Sequence, residues 1–362
     1  MNIAITGFTG FFAKNLRLYL QAHFPEFKVY ELNLREKNVH LPASIDILFH
    51  TAAVNRTKGS IIAENEAITC SLMTHLQEIR VKSIVFTNST HYFRTSDYGE
   101  SKRMVSDSLR KYCLANNIFY VNCILPNLYG PFGKENYNSV VNTFIYNVQH
   151  NISSTIDKSS LIDLVYIDDV FPYIFKALNL TNEKIVDLTF ESIQVRKSVL
   201  EIFMIVEEIH VKYNQGYIPE IIDAFAWNIY NIYITYLGRK IERELILHSD
   251  KRGSFCELTR SLTKGQFSLS TSNPGVVRGD HFHVTKPERF IYVTGGVKIS
   301  MRNIVGGTTV EFIYTDNVPR TIDIPIGSTH KLENIGEEQL IMYFFTPDFF
   351  DQKNPDTYLL NV

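Results

Sequence analysis

The first thirteen residues leave this chain little choice of fold. Asn2–Thr6 is a short apolar run, and Gly7-Phe8-Thr9-Gly10-Phe11-Phe12-Ala13 carries it into a helical pattern that continues to Leu20. A strand that passes through a glycine turn into a helix opens a βαβ unit. Gly7 and Gly10 let backbone N–H groups approach a pyrophosphate, which then sits at the positive end of the helix. Ala13 is small enough for the helix to pack on the strand. The spacing is Gly-x-x-Gly-x-x-Ala, not the Gly-x-Gly-x-x-Gly of the usual dinucleotide fingerprint.

The segments that follow keep alternating strand with helix. Lys28–Leu32, Ile45–His50, Ser83–Thr90 and Ile118–Leu125 read as apolar strands, so we expect a Rossmann-type α/β fold, a doubly wound parallel sheet. The second strand ends at Asn33-Leu34-Arg35. An acidic residue at that end would suit the ribose 2′-hydroxyl of NAD, whereas Arg35 can meet a 2′-phosphate, so NADPH is the expected cofactor, with Glu31 the residue against it. The third strand ends at Thr51-Ala52-Ala53, where Ala52 and Ala53 leave room for a cofactor at the sheet edge. His50 is expected to be a packed structural histidine, and Asn65 a polar cap at the start of a helix.

Tyr98-Gly99-Glu100-Ser101-Lys102 opens a segment to Asn116 whose apolar residues recur at helical spacing. Positions i and i+4 share a helix face, so Tyr98 and Lys102 can point the same way. A nearby cation favours phenolate, and a phenol so tuned can give a proton to a carbonyl oxygen. Ser89, at the end of the preceding strand, can hold the same oxygen. The plain alternative is a solvated helix face.

The net charge of −2 and pI near 6.6 argue against nucleic acid as a partner. Cys70, Cys113, Cys123 and Cys256 are scattered, which fits reduced thiols in a cytoplasm. Met1 runs straight into a strand, so we expect no signal peptide, and no apolar run is long enough to span a bilayer. Ala224–Tyr233 is aromatic-rich and reads as core or interface. The charged stretch Gly238–Arg243 marks the expected boundary between domains 1–242 and 243–362. Beyond it, short β-rich runs lie between turn signals such as Lys251-Arg252-Gly253, Gly295-Gly296 and Asp316-Asn317, predicting an all-β sandwich or barrel. Alternate residues of a strand share a face, so His281 and His283 point together. With Glu288 and His330 from neighbouring strands they make a good site for Zn²⁺ or another first-row divalent ion. Histidines packed without a metal are the alternative.

Gly7, Gly10, Ala13, Ala52-Ala53, Ser89, Tyr98, Lys102, Pro126-Asn127-Leu128-Tyr129-Gly130 and the turn Val165–Val170 together resemble an extended short-chain dehydrogenase/reductase, although Ala13 stands where that family usually has glycine. The resemblance implies that Ser89 and Tyr98 bind the 4-oxygen of a nucleotide sugar and that Lys102 holds the nicotinamide ribose. Gly275-His281-His283-Glu288-Gly295 and Pro325-His330-Asn334 resemble the two cupin signatures, with Pro319 where a glycine is expected. A reductase followed by an all-β metal cupin is similar to the bifunctional capsular-polysaccharide enzymes of the CapF type. Tyr98–Lys102, Asn136–Val140, Lys251–Phe255 and Gln352–Tyr358 carry that likeness. It implies a UDP-linked 4-keto-6-deoxy-2-acetamido sugar as substrate, with Asn127, Tyr137 and Asn138 among its contacts. The cupin would epimerise C3 and the reductase would then reduce C4, toward UDP-N-acetyl-L-fucosamine; cupins pair through β-strands, so a homodimer or higher homo-oligomer is expected. Two other readings stay open: a nucleotide-sugar 4-ketoreductase whose cupin metal is structural, and a sugar-nucleotide-sensing or scaffold protein with dead sites.

Overall fold

Strands that are apolar on both faces must be covered on both sides. A computed structural model of the chain describes residues 1–362 apart from 37–40, 180–182, 219–222, 246, 251–252, 257–259, 262–265, 317 and 349–352. Lys251, Arg252, Asn317 and Gln352, singled out above, lie outside the described residues. Contacts divide the described chain into two compact units, Met1–Gly130 with Leu161–Lys197, and Pro131–Ser160 with Ser198–Val362.

The first unit runs β1 (Asn2–Thr6), α1 (Phe11–His23), β2 (Lys28–Glu31), β3 (Ser44–His50), α2 (Ile61–His75), β4 (Arg80–Ser89), α3 (Asp97–Ala115), β5 (Phe119–Leu125), α4 (Ile167–Leu178) and β6 (Ile185–Thr189). The strands form one parallel sheet in the order β2-β1-β3-β4-β5-β6. On one face Phe12 and Leu16 of α1 and Phe171 and Ile174 of α4 pack with Ile3, Ile5 and Val85. On the other, Leu72 of α2 and Val105 and Leu109 of α3 pack with Ala4, Leu48 and Ile84. This is the doubly wound parallel sheet read from the alternating pattern. The strand order reverses between β1 and β3, so a crevice opens beyond their C-terminal ends. Gly7 and Ala52 flank it.

In the second unit, helices Val140–Gln149, Val199–Asn214 and Ala224–Thr235 pack together. Phe225, Ile229, Tyr230 and Tyr233 are buried, so the aromatic-rich stretch is core. Gly238–Ile241 is a 3₁₀ turn that leads into β7 (Glu242–Glu244) within this unit. The later strands of its two five-stranded sheets are β8 (Gln266–Ser272), β9 (Val277–Phe282), β10 (Glu288–Tyr292), β11 (Val297–Asn303), β12 (Val310–Tyr314), β13 (Arg320–Ile324), β14 (Ser328–Asn334), β15 (Leu340–Thr346) and β16 (Tyr358–Leu359). They build two antiparallel sheets, β7-β13-β10-β15-β8 and β12-β11-β14-β9-β16.

A buried ion pair sits at the centre of the first of these sheets. Arg289 of β10 faces its cross-strand partner Asp323 of β13, with Nε–Oδ1 at 2.6 Å and Nη2–Oδ2 at 3.0 Å. The Tyr213 hydroxyl, from helix Val199–Asn214, donates to the same carboxylate. Both charged side chains are 5% exposed. Removing one partner of a buried pair leaves a desolvated charge, at a cost of roughly 3–5 kcal/mol. Asp323→Asn should therefore lower the urea-unfolding free energy by about that amount. A loss below ~1 kcal/mol would mean that the pair is not what holds β10 to β13.

Candidate active site and metal centre

The crevice is closed by backbone contact. Gly7 follows β1 with φ of +62°, and a Cβ there would lie 2.9 Å from backbone atoms of Ala52. Thr6 Oγ1 accepts the N–H groups of Thr51 and Ala52, each at 3.1 Å. A hydroxyl has one proton and two lone pairs, so Thr6 must donate to His50 Nδ1, 2.9 Å away. His50 is thus a neutral, buried histidine, as expected of a structural one; burial first and the Lys102 charge second push its pKa down to about 3. Gly10 caps α1 without a side-chain bond, and no acidic residue lies in the first turn. The opening N–H groups of α1 therefore fit an anionic phosphate. Ala13 is fully buried under the helix.

Arg35 is exposed in the turn after β2, with its N–H donating to Asn33 Oδ1 at 3.2 Å. Asn65 differs from the expected cap: Ser60 caps α2, accepting from Ala63 N–H, and Asn65 lies inside the helix. Its amide accepts from Val54 N–H at 2.8 Å and donates to Val54 O at 2.9 Å, which pins the segment after Ala52-Ala53. A single polar residue in a helical pattern carries no sign of so distant a partner.

Ser89, Tyr98 and Lys102 are knit to the same edge. Ser96 accepts from Gly99 N–H at 3.1 Å and so starts α3 beside Tyr98. A Cβ on Gly99 would collide with the carbonyl oxygens of His91 and Arg94, so the 3₁₀ turn Thr90–Phe93 rests directly on the helix. Ser89 Oγ accepts from His91 N–H at 3.3 Å, and the His91 ring stands edge-on to Tyr98 with centroids 5.5 Å apart. Lys102 is 5% exposed. Its Nζ donates to Thr87 O at 3.0 Å and lies 5.7 Å from the Tyr98 ring centre. The backbone of Ser89 is held from behind by two buried amides that end on an exposed carboxylate: Ser89 N–H to Asn88 Oδ1 (2.8 Å), Asn88 to Asn122 (2.9 Å), and Asn122 to Asp187 (2.7 Å). Gly99, Thr87, Asn88 and Asn122 went unread in the sequence as site residues, because their partners are set by strand register.

Burial pushes the Lys102 ammonium down from 10.5 to about 8. Between those values the unfolded chain holds the extra proton, so this group makes stability rise with pH across that window. Lys102→Met removes the buried charge. Its stability advantage over the unmodified chain should be largest near about pH 7 and should shrink toward about pH 11, read by urea denaturation. An advantage that does not change with pH would contradict a buried, low-pKa lysine.

In the second unit, His281, His283, Glu288 and His330 offer ligand atoms that all lie within 4.8 Å of one another. β9 carries His281 and His283 follows it; β10 supplies Glu288 and β14 supplies His330. His283 Nδ1 bonds the carbonyl of Asp356, and His330 Nδ1 bonds that of Ser328 at 3.1 Å. A carbonyl only accepts, so each Nδ1 carries a proton and each ring turns its Nε2 inward. Those Nε2 atoms are buried without a hydrogen-bond partner, 3.3 and 3.2 Å from Glu288 Oε2. Lone pairs facing a carboxylate repel unless a proton or cation lies among them. Burial raises the Glu288 pKa, but the two histidines outweigh it and hold the carboxyl well below its ordinary range. Burial, then His330 and His283, push His281 down to about 4. Three imidazoles and one carboxylate, oriented this way, fit a divalent first-row ion.

Of the expected substrate contacts, Asn127 is exposed on the short strand Asn127–Tyr129 of the first unit, its amide donating to Asp163 O at 3.2 Å. Tyr137 and Asn138 precede helix Val140–Gln149 in the second unit; Asn138 is exposed and Lys134 lies over the Tyr137 ring at 5.7 Å.

Residues 3–188 match the NAD dependent epimerase/dehydratase family, and residues 248–358 match the polysaccharide biosynthesis C-terminal domain. The chain is 30% identical over 372 residues to the UDP-2-acetamido-2,6-beta-L-arabino-hexul-4-ose reductase of Pseudomonas aeruginosa, covering 100% of this chain and 99% of that one. It is 32% identical to the Bacillus subtilis spore coat polysaccharide biosynthesis protein SpsL over 33% of this chain and 85% of that protein. The crystal structure of the capsular polysaccharide assembling protein CapF from Staphylococcus aureus matches over 100% of both chains, with 27% identity and a TM-score of 0.58. No helix among the described residues is long and apolar enough to cross a membrane.

Proposed function

Since the chain belongs to the NAD dependent epimerase/dehydratase family, as a CapF-type enzyme, we propose that it epimerises C3 of a UDP-4-keto-6-deoxy-2-acetamido sugar and then reduces C4, in making a capsular or O-antigen precursor such as UDP-N-acetyl-L-fucosamine. The Pseudomonas relative is named for reducing a 4-ketone of this kind, which supports the second step. The observation that supports the first is the pair of inward Nε2 atoms facing Glu288, from which neutral rings would ligate a cation. We assign the all-β region from residue 243 to the cupin fold and the ion to Zn²⁺.

NADPH, when bound, supplies the hydride. Gly7, Gly10 and Ala13 would admit its pyrophosphate, Ala52 and Ala53 leave room for it, and Arg35 would meet its 2′-phosphate. Tyr98 gives a proton to the C4 oxygen while Ser89 Oγ holds that oxygen in place. Lys102 favours the phenolate that remains and grips the nicotinamide ribose. In the first unit, Asn127 would contact the sugar nucleotide. In the all-β region, His281, His283, Glu288 and His330 would hold the ion. When bound, it supplies Lewis-acid charge that makes a proton beside a ketone easier to remove. That proton is acidic only while C4 is a ketone, so epimerisation precedes reduction.

The two chemistries should separate by substitution. Tyr98→Phe should slow NADPH oxidation by ~10²–10⁴-fold while C3 proton exchange continues. His281→Ala, or removal of the ion with a chelator, should stop C3 exchange while an already epimerised ketone is still reduced. If the unmodified chain shows no C3 exchange, and still reduces an already epimerised ketone once the ion is removed, the ion is structural and the chain is a 4-ketoreductase alone. If neither substitution changes either rate, the assigned residues are wrong.

A further inference from the structure

We infer that Asp356 is a positioning residue of the metal centre: its carbonyl sets which nitrogen of His283 faces the ion, and its carboxylate holds that carbonyl in place. This rests on the reading of the histidine cluster as a cation site. His330 takes its orienting acceptor from Ser328, two residues away on its own strand. His283 takes its acceptor from Asp356, 73 residues further along the chain. The tautomer of His283 therefore depends on where the C-terminal segment lies.

That segment is clasped to the residues just after His283. Asp356 Oδ1 accepts from Val284 N–H at 3.0 Å. Its Oδ2 accepts from the N–H and the hydroxyl of Thr285 at 2.9 and 2.7 Å. Lys286, itself buried, donates to Pro355 O at 2.8 Å. Asp356 adopts φ of +45°, in the left-handed region that a non-glycine residue keeps only where its surroundings hold it. The clasp supplies that hold. Beyond it, β16 pairs with β9, setting Leu359 opposite His281. Leu360 N–H donates to Asp280 O at 2.9 Å, and the Thr329 hydroxyl donates to Leu360 O. The tail thus runs beside two ligand-bearing strands and reaches the ligand between them and β10 through a single carbonyl.

Outer partners of this kind typically change metal affinity by about 10–100-fold. The test is zinc affinity of the full chain, by competition with a chromophoric chelator, together with the absorption spectrum of the Co²⁺-loaded protein. Asp356→Ala should bind zinc about 10–100-fold more weakly and shift the Co²⁺ bands. Asp356→Asn keeps one side-chain acceptor and should fall between. Arg302→Ala breaks the tail's contact at Asn361 O (3.1 Å) without touching the clasp, and should bind like the unmodified chain. Equal affinity in Asp356→Ala and the unmodified chain would overturn the inference, as would an equal loss in Arg302→Ala. An unmodified chain that takes up neither ion would instead sink the cation reading itself, and this inference with it. Should Asp356→Ala not fold, imidazole nitrogen NMR of the unmodified, metal-free chain decides. A proton on His283 Nδ1 supports the assignment, and one on Nε2 alone contradicts it.

Discussion

Two imidazole lone pairs and a carboxylate cannot share a buried space without positive charge between them. At His283, His330 and Glu288 that constraint is built from outside the cluster: carbonyl acceptors take the Nδ1 protons and leave Nε2 facing inward. The strands are spaced so that four potential ligands meet. In a metal-free chain, protons must fill the gap, which is why the Glu288 carboxyl lies so low and His283 is raised despite burial. The orientation of the two rings is therefore set by the fold around them rather than by the four side chains alone.

The first unit follows the same logic with backbone in place of side chains. Gly7 and Gly99 are the points where two segments touch with no room for a Cβ. One brings β1 against the segment after β3, the other seats the turn after Ser89 on α3. Thr6, His50, Thr87 and Lys102 then form a continuous run of polar contacts across the ends of three strands. The apolar interior makes each of these contacts specific, because an unpaired polar group there is costly.

How much of this was legible depended on range. The parallel sheet was readable because its strands are apolar on both faces and alternate with helices at regular spacing. Tyr98 and Lys102 were readable because one turn of helix relates them. The four candidate ligands were readable because strand alternation and short spacings place three of them, and His330 stands in a motif of its own. Asn65, Asn88, Asn122 and Asp356 were not, since their partners are chosen by strand order and by a tail that returns across 73 residues. Arg289 and Asp323 lie on separate strands, and only their cross-strand register makes them a buried pair. The charged stretch Gly238–Arg243, read as a domain boundary, includes a 3₁₀ turn over Gly238–Ile241 that leads into β7.

The central claim is that one chain carries both a proton-exchange chemistry and a hydride-transfer chemistry. A single incubation tests it most directly: the zinc-loaded protein, NADPH and a UDP-4-keto-6-deoxy-N-acetylhexosamine in deuterated water, with the product read by NMR. The account predicts deuterium at C3 and an alcohol at C4 in the same molecule. An alcohol at C4 with only protium at C3 would contradict it, and would leave the histidine cluster without a part in the reaction.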